Sequence, residues 1–132
     1  MLSLNNTAED ILREFHGDTV RWKSMLTYKE NDILFIDKLL NSKAFRVAKP
    51  NLFERLQELN KEAETIASEL KKLKKEVNEY ESKLSGILEC EDISCDTYYL
   101  ENHKALKDRF EEFYTDFNEF KTKVFNYTGG IL

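Results

Sequence analysis

Eleven apolar residues in the middle of the chain, spaced alternately four and three apart, restrict the fold more than any other feature. Leu52, Leu56, Leu59, Ala63, Ile66, Leu70, Leu73, Val77, Tyr80, Leu84 and Ile87 follow one another with no polar interruption. That spacing is a heptad seam on one helix face, and the positions beside it are mostly Lys, Glu, Asn and Ser. A helix over 51–88 would be a rod of roughly 55 to 60 Å at about 1.5 Å per residue. The rod is not stable alone. A seam residue leaving water contributes about 0.8 to 3 kcal/mol, against roughly 1 to 2 kcal/mol of backbone entropy for each residue ordered, so partner helices must cover the stripe.

The rest of the chain supplies two partners. Leu12, Phe15, Thr19, Trp22, Leu26, Lys29, Ile33, Ile36 and Leu40 form a second seam with two polar members, predicting a first helix over about 7–42. Asn6 with Glu9, or Thr7 with Asp10, has the spacing of a capping box at its start. The weak point is His16-Gly17-Asp18, where glycine costs about 1 kcal/mol in a helix and Asp18 is placed to cap a new one, so a kink or break is expected there. Between Ser42 and Pro50 the heptad fails, and Phe45 and Val47 in this connection are expected to fold back onto the bundle. Asn51, with Glu54 three residues on, is the expected cap of helix two, over about 51–89.

The second connection, 89–96, is acidic and holds Cys90 and Cys95. Ser94 or Asp96 is the expected cap of helix three, over about 95–127, whose seam runs Tyr99, His103, Leu106, Phe110, Phe113, Phe117, Phe120, Val124 and Tyr127. Thr128-Gly129-Gly130 is expected to end it, leaving Ile131 and Leu132 as a tail. Three long, coiled-coil-like helices with connections of about eight to ten residues predict an all-α, up-down-up antiparallel three-helix bundle, and 132 residues suit a single domain. Matching the turns sets Trp22 beside Leu70 and Phe113, and Leu12 beside Tyr80 and His103. In helix order, and in placing a Trp in the first helix, the outline resembles a spectrin-type repeat, a likeness that implies the fold alone.

Composition excludes several functions. A net charge of −5 leaves no dominant basic face for a phosphate backbone, so no nucleic-acid partner is expected. The longest apolar run, Ile33-Leu34-Phe35-Ile36, is far short of a membrane span, and the expected location is the cytoplasm. No strand-turn-helix nucleophile motif or glycine-rich phosphate loop is present, and the residues three before each His are Arg13 and Leu100 rather than the Glu of a di-iron bundle. No catalytic residue, cofactor or metal is therefore expected. His16, Cys90, Cys95 and His103 fall toward one end of the bundle and offer the alternative of a small-ligand or zinc site there. Their spacing contains no second short-spaced ligand pair, however, and free thiols are expected ahead of a disulfide or a metal. His103 is expected to be a neutral core ring hydrogen-bonded to Tyr80. Lys71, Lys72, Lys74 and Lys75 are expected on a wetted face, paired as Lys72 with Glu76 and Lys75 with Glu79.

One surplus remains. Met25, Tyr28, Leu34, Phe35 and Leu39 add apolar surface to helix one outside its seam, more than a three-helix bundle can enclose. The functional expectation is a non-catalytic helical module that binds a protein partner through this face, with a homodimer about Tyr28, Phe35 and Leu39 as its specific form and the Phe45 loop as the competing cover.

Overall fold

The computed structural model describes residues 8–42 and 50–131, apart from the side chains at 50–52, 93, 130 and 131. It is all-α, and its helices are α1 (Ala8–Leu40), α2 (Pro50–Lys83) and α3 (Ile93–Ile131), with a 3-10 segment (Leu84–Glu89) closing α2. The fold is the expected three-helix bundle, up, down and up. None of its described helices is long and apolar enough to cross a membrane.

Contacts divide the chain into two compact units, Met1–Leu26 with Lys72–Glu111 and Thr27–Lys71 with Glu112–Leu132, so each helix contributes a segment to both. In the first unit Phe15 and Trp22 meet His103 and Phe110, and Tyr80 and Glu76 meet His103 and Arg109, which fixes α1 parallel to α3 and α2 antiparallel to it. The core there is Ile11, Phe15, Trp22, Leu26, Leu73, Val77, Leu84, Ile87, Leu106 and Phe110. In the second unit Lys29 and Asp32 meet Asn118 and Lys121, which again sets α1 parallel to α3, and Glu62 of α2 meets Lys123. Ile33, Ile36, Leu40, Leu59, Ala63, Ile66, Leu70, Phe113, Phe117, Phe120 and Val124 are buried in it. Each fully buried side chain of this size contributes about 1.5 to 3 kcal/mol, and this burial holds the long helices together.

The departures from expectation have physical causes. α1 runs through Gly17 without a break. Asp18, which a new helix would need as its cap, instead joins Arg21 through one oxygen and His103 through the other, and Phe15 and Thr19 on either side are buried. Ile11 takes the core place assigned to Leu12, which is half-buried beside it. Helix two begins at Pro50, a residue whose fixed φ and missing N–H suit a first turn. Its last stretch tightens into the 3-10 segment. α3 starts at Ile93 and is capped by Asp92, whose Oδ1 accepts the Cys95 amide at 2.8 Å, rather than by Ser94 or Asp96. It also runs past Thr128-Gly129-Gly130 to Ile131, and none of the described glycines adopts a positive φ. Burial of Tyr127 and Thr128 in that last turn offsets the glycine penalty. Glu76 pairs with Arg109 of α3 at 2.5 Å rather than with Lys72, whereas Lys75 and Glu79 form their expected pair at 3.9 Å. Trp22 stacks on Phe110, one turn before the Phe113 expected opposite it. Phe45, Val47, the caps at Asn6 and Thr7, the side chain of Asn51 and Leu132 lie outside the described residues.

Candidate functional site

The first unit carries a histidine-centred polar layer inside its apolar core. His103 on α3 is 6% exposed, with Phe15 of α1 stacked flat on its ring at 3.7 Å between centroids and Trp22 at 5.1 Å. Its Nε2 lies 2.7 Å from Asp18 Oδ2 and its Nδ1 lies 2.8 Å from Tyr80 Oη. A carboxylate only accepts, so Nε2–H donates to Asp18, and the neutral ring's bare Nδ1 accepts the Tyr80 hydroxyl. Desolvation lowers the His103 pKa against the opposing pull of Asp18, and this keeps the ring neutral near pH 7. The expected Tyr80 bond is therefore present, and Asp18 is the partner the sequence did not reveal.

These two hydrogen-bond distances match the spacing of a nucleophile, a base and an orienting carboxylate. Burial shifts both titrating groups of this network. Burial, with Asp18 second, pushes the Tyr80 hydroxyl well above its ordinary value, while burial pushes His103 down. The gap between them is therefore wider than the roughly 3.5 units that separate the free side chains. The network joins one side chain from each of the three helices, Asp18 of α1, Tyr80 of α2 and His103 of α3. A second tie lies one residue along α1 and α2, at Thr19 and Glu81. The single proton of the buried Thr19 hydroxyl is shared between the His16 carbonyl at 2.7 Å and Glu81 Oε2 at 3.2 Å, and Lys23 donates to Glu81 Oε1 at 2.7 Å. The Lys23 hydrogen bond, chiefly, lowers the Glu81 pKa.

The residues of the alternative metal site do not converge as ligands. Cys90 and Cys95 are joined in a disulfide, which corrects the expectation of free thiols and leaves no thiolate to bind a metal. Both nitrogens of His103 are engaged. His16 faces a separate cleft with Glu9, Leu12, Arg13, Glu81, Leu84 and Ser85. Among the described residues no group of three or more His, Cys, Asp or Glu is placed to hold a metal.

The second unit holds the apolar surplus. Tyr28 and Phe35 are 68% and 57% exposed, and Leu39 is half-buried. Asp32 fixes the direction of this stripe, since Tyr28, Phe35 and Leu39 stand four before, three after and seven after it on the same helix flank, and Asp32 reaches Lys121 of α3 at 3.4 Å. The exposed α3 rings Tyr114 and Phe125 flank the same line, which is crossed by Lys29 to Asn118 at 3.2 Å. Lys29 also sits 4.8 Å above the Tyr114 ring and Lys121 sits 5.8 Å above Phe125. Each lysine thus sets its ammonium over an α3 ring on this face. Leu34, 60% exposed, lies about 100° around the helix from Phe35 and so on the other flank. Met25 is half-buried and belongs to the first unit. Of the five surplus residues, three therefore share one face, and α3 contributes two rings that were overlooked because helix one was considered alone. Comparison of the chain with protein-family models, with curated proteins and with solved structures finds no match.

Proposed function

We propose that this chain is a non-catalytic helical-bundle module that docks a protein partner through the α1–α3 face of its second unit, and that the partner is a second copy of the chain. The observation that carries this reading is the pair of large rings, Tyr28 and Phe35, each more than half exposed on a stripe that Tyr114 and Phe125 extend across α3. A buried aromatic side chain covers about 150 to 250 Å², so the four partly exposed rings leave roughly 400 Å² of apolar surface per chain. Two such faces with their polar rims reach the lower end of the area that specific interfaces bury, about 1,200 Å². An isologous two-fold contact is the simplest way for one chain to cover the same patch twice. The cytoplasm remains the proposed location. A disulfide there would be exposed to thiol reductants and expected to open and close.

Sedimentation of the unmodified protein and of Phe35→Glu tests the proposal. The unmodified chain is expected as a dimer at tens of micromolar and the variant as a monomer with unchanged helicity. A monomeric unmodified chain at that concentration overturns it. Leu34→Glu, on the opposite flank, should leave the dimer intact.

A further inference from the structure

The acidic charge of this chain is concentrated in one place. From Leu84 to Asn102 the sequence holds Glu89, Glu91, Asp92, Asp96 and Glu101 with no Lys or Arg, and outside that stretch twenty acids balance twenty bases. The net charge of −5 therefore resides in the segment that carries the Cys90–Cys95 bridge. The bridge joins the residue after the 3-10 segment to the first turn of α3, with Cα atoms 5.4 Å apart. Neither cysteine is fully buried, and Glu91, Asp92 and Ser94 between them are exposed. Cys90 packs against Ile11, Phe15, Leu84 and Ile87, so Cys95 is the sulfur with the freer approach.

We propose that the Cys90–Cys95 bridge is a thiol–disulfide exchange site for a dithiol reductant that presents its thiolate on a positively charged surface. Attack at Cys95 Sγ forms a mixed disulfide and expels the Cys90 thiolate, which takes a proton from water. The second thiol of the reductant, once deprotonated, then attacks its own sulfur in that mixed disulfide and releases Cys95, which is protonated in turn. Two electrons pass to the protein, and the dithiol leaves as a disulfide. The surrounding carboxylates repel anionic attackers and disfavour the departing thiolate, so small anionic thiols exchange slowly and a cationic surface is selected. Reduction removes the one covalent tie across the turn. The Asp92 cap at 2.8 Å and the Tyr99 hydroxyl donating to the Lys83 carbonyl at 3.4 Å remain, so loosening is confined to the start of α3.

The test uses the full chain purified in its oxidised form, with thiol titration first. Reduction rates are then measured with cysteamine, 2-mercaptoethanol and 3-mercaptopropionate, whose attacking thiolates are net neutral, singly negative and doubly negative. Each rate is normalised to that reagent's rate on a small uncharged disulfide. At about 10 mM ionic strength cysteamine should lead mercaptopropionate roughly tenfold, and at about 1 M salt, where screening shortens to about 3 Å, the difference should collapse. Equal normalised rates at low salt, or two titratable thiols in the oxidised preparation, overturn the proposal. Hydrogen exchange on the reduced protein should rise at 89–97 and stay unchanged along the α2 and α3 interiors. Unchanged exchange at 89–97 refutes the local loosening, and so does a rise throughout the chain. The variant carrying both Cys90→Ser and Cys95→Ser should reproduce the reduced pattern without reductant.

Discussion

The same substitution at two glycines should have opposite signs. At Gly17 an added Cβ would meet only Arg21 Nη1, at 3.7 Å, and the backbone there is already helical in the middle of α1. Gly17→Ala therefore gains the helix-propensity difference, about 0.5 to 1 kcal/mol, with no packing cost to set against it. For a two-state unit of this length that is roughly 2 to 4 °C in Tm. At Gly86, in the 3-10 segment, the added Cβ would fall on the Tyr99 hydroxyl, with the ring carbon that bears it 3.2 Å away. The phenol is rigid and is held by the Lys83 carbonyl, so relief requires the ring or the segment to move. Overpacking of this kind costs about 1 to 3 kcal/mol. Removing the hydroxyl supplies the control, because Gly86→Ala should cost less in a Tyr99→Phe background than alone. Thermal melts followed by circular dichroism at 222 nm measure the unmodified chain and the four variants. If Gly17→Ala lowers Tm, or Gly86→Ala raises it, the reasoning from local space and helix propensity is refuted.

Other expectations follow from the core, the buried histidine and the bridge. Leu70→Ala, at a site 3% exposed, should cost about 2 to 5 kcal/mol in denaturant unfolding, whereas Lys72→Ala on the wetted face should stay within roughly 0.5 kcal/mol. Because burial lowers the His103 pKa in the folded chain, its neutral form stabilises the fold above the unfolded value of about 6.5, and that stability is lost as pH falls through it. His103→Gln should therefore flatten the stability profile between about pH 7 and pH 5. The loss due to Glu81, whose pKa is also lowered, begins only below about pH 4.5 and should persist in that variant. Replacing both Cys90 and Cys95 with Ser should cost about 2 kcal/mol in oxidised samples, the closure entropy of so short a loop, and nothing relative to the reduced wild type.

The three seams were legible because every burying position repeats at heptad spacing, so one wrong residue, Leu12 for Ile11, leaves the stripe intact. Helix ends were not legible in the same way, since they depend on contacts distant in sequence. Gly17 looked like a break only while Asp18 was assumed to bond locally, and its partner lies 85 residues away. Gly129 and Gly130 looked like a stop because burial of Tyr127 and Thr128 cannot be read from the local residues. The His103–Tyr80 bond was visible as two polar groups at facing seam positions. The aromatic face was half visible, since Tyr114 and Phe125 matter only beside Tyr28 and Phe35.

The His103 layer also bears on which of several alignments the helices adopt. Seams made of near-identical heptads can in principle slide past one another by seven residues and still bury apolar side chains. Sliding α3 by one heptad in one direction brings Phe110 to the place of His103, where it can neither accept from Tyr80 nor donate to Asp18, and both half-buried groups lose that partner. Sliding it the other way brings Asp96 to the place of His103, setting two carboxylates against one another. Only the observed offset satisfies all three side chains. One histidine in a phenylalanine-rich seam thus acts as an index mark, trading a little apolar burial for a single way of assembling three repetitive rods.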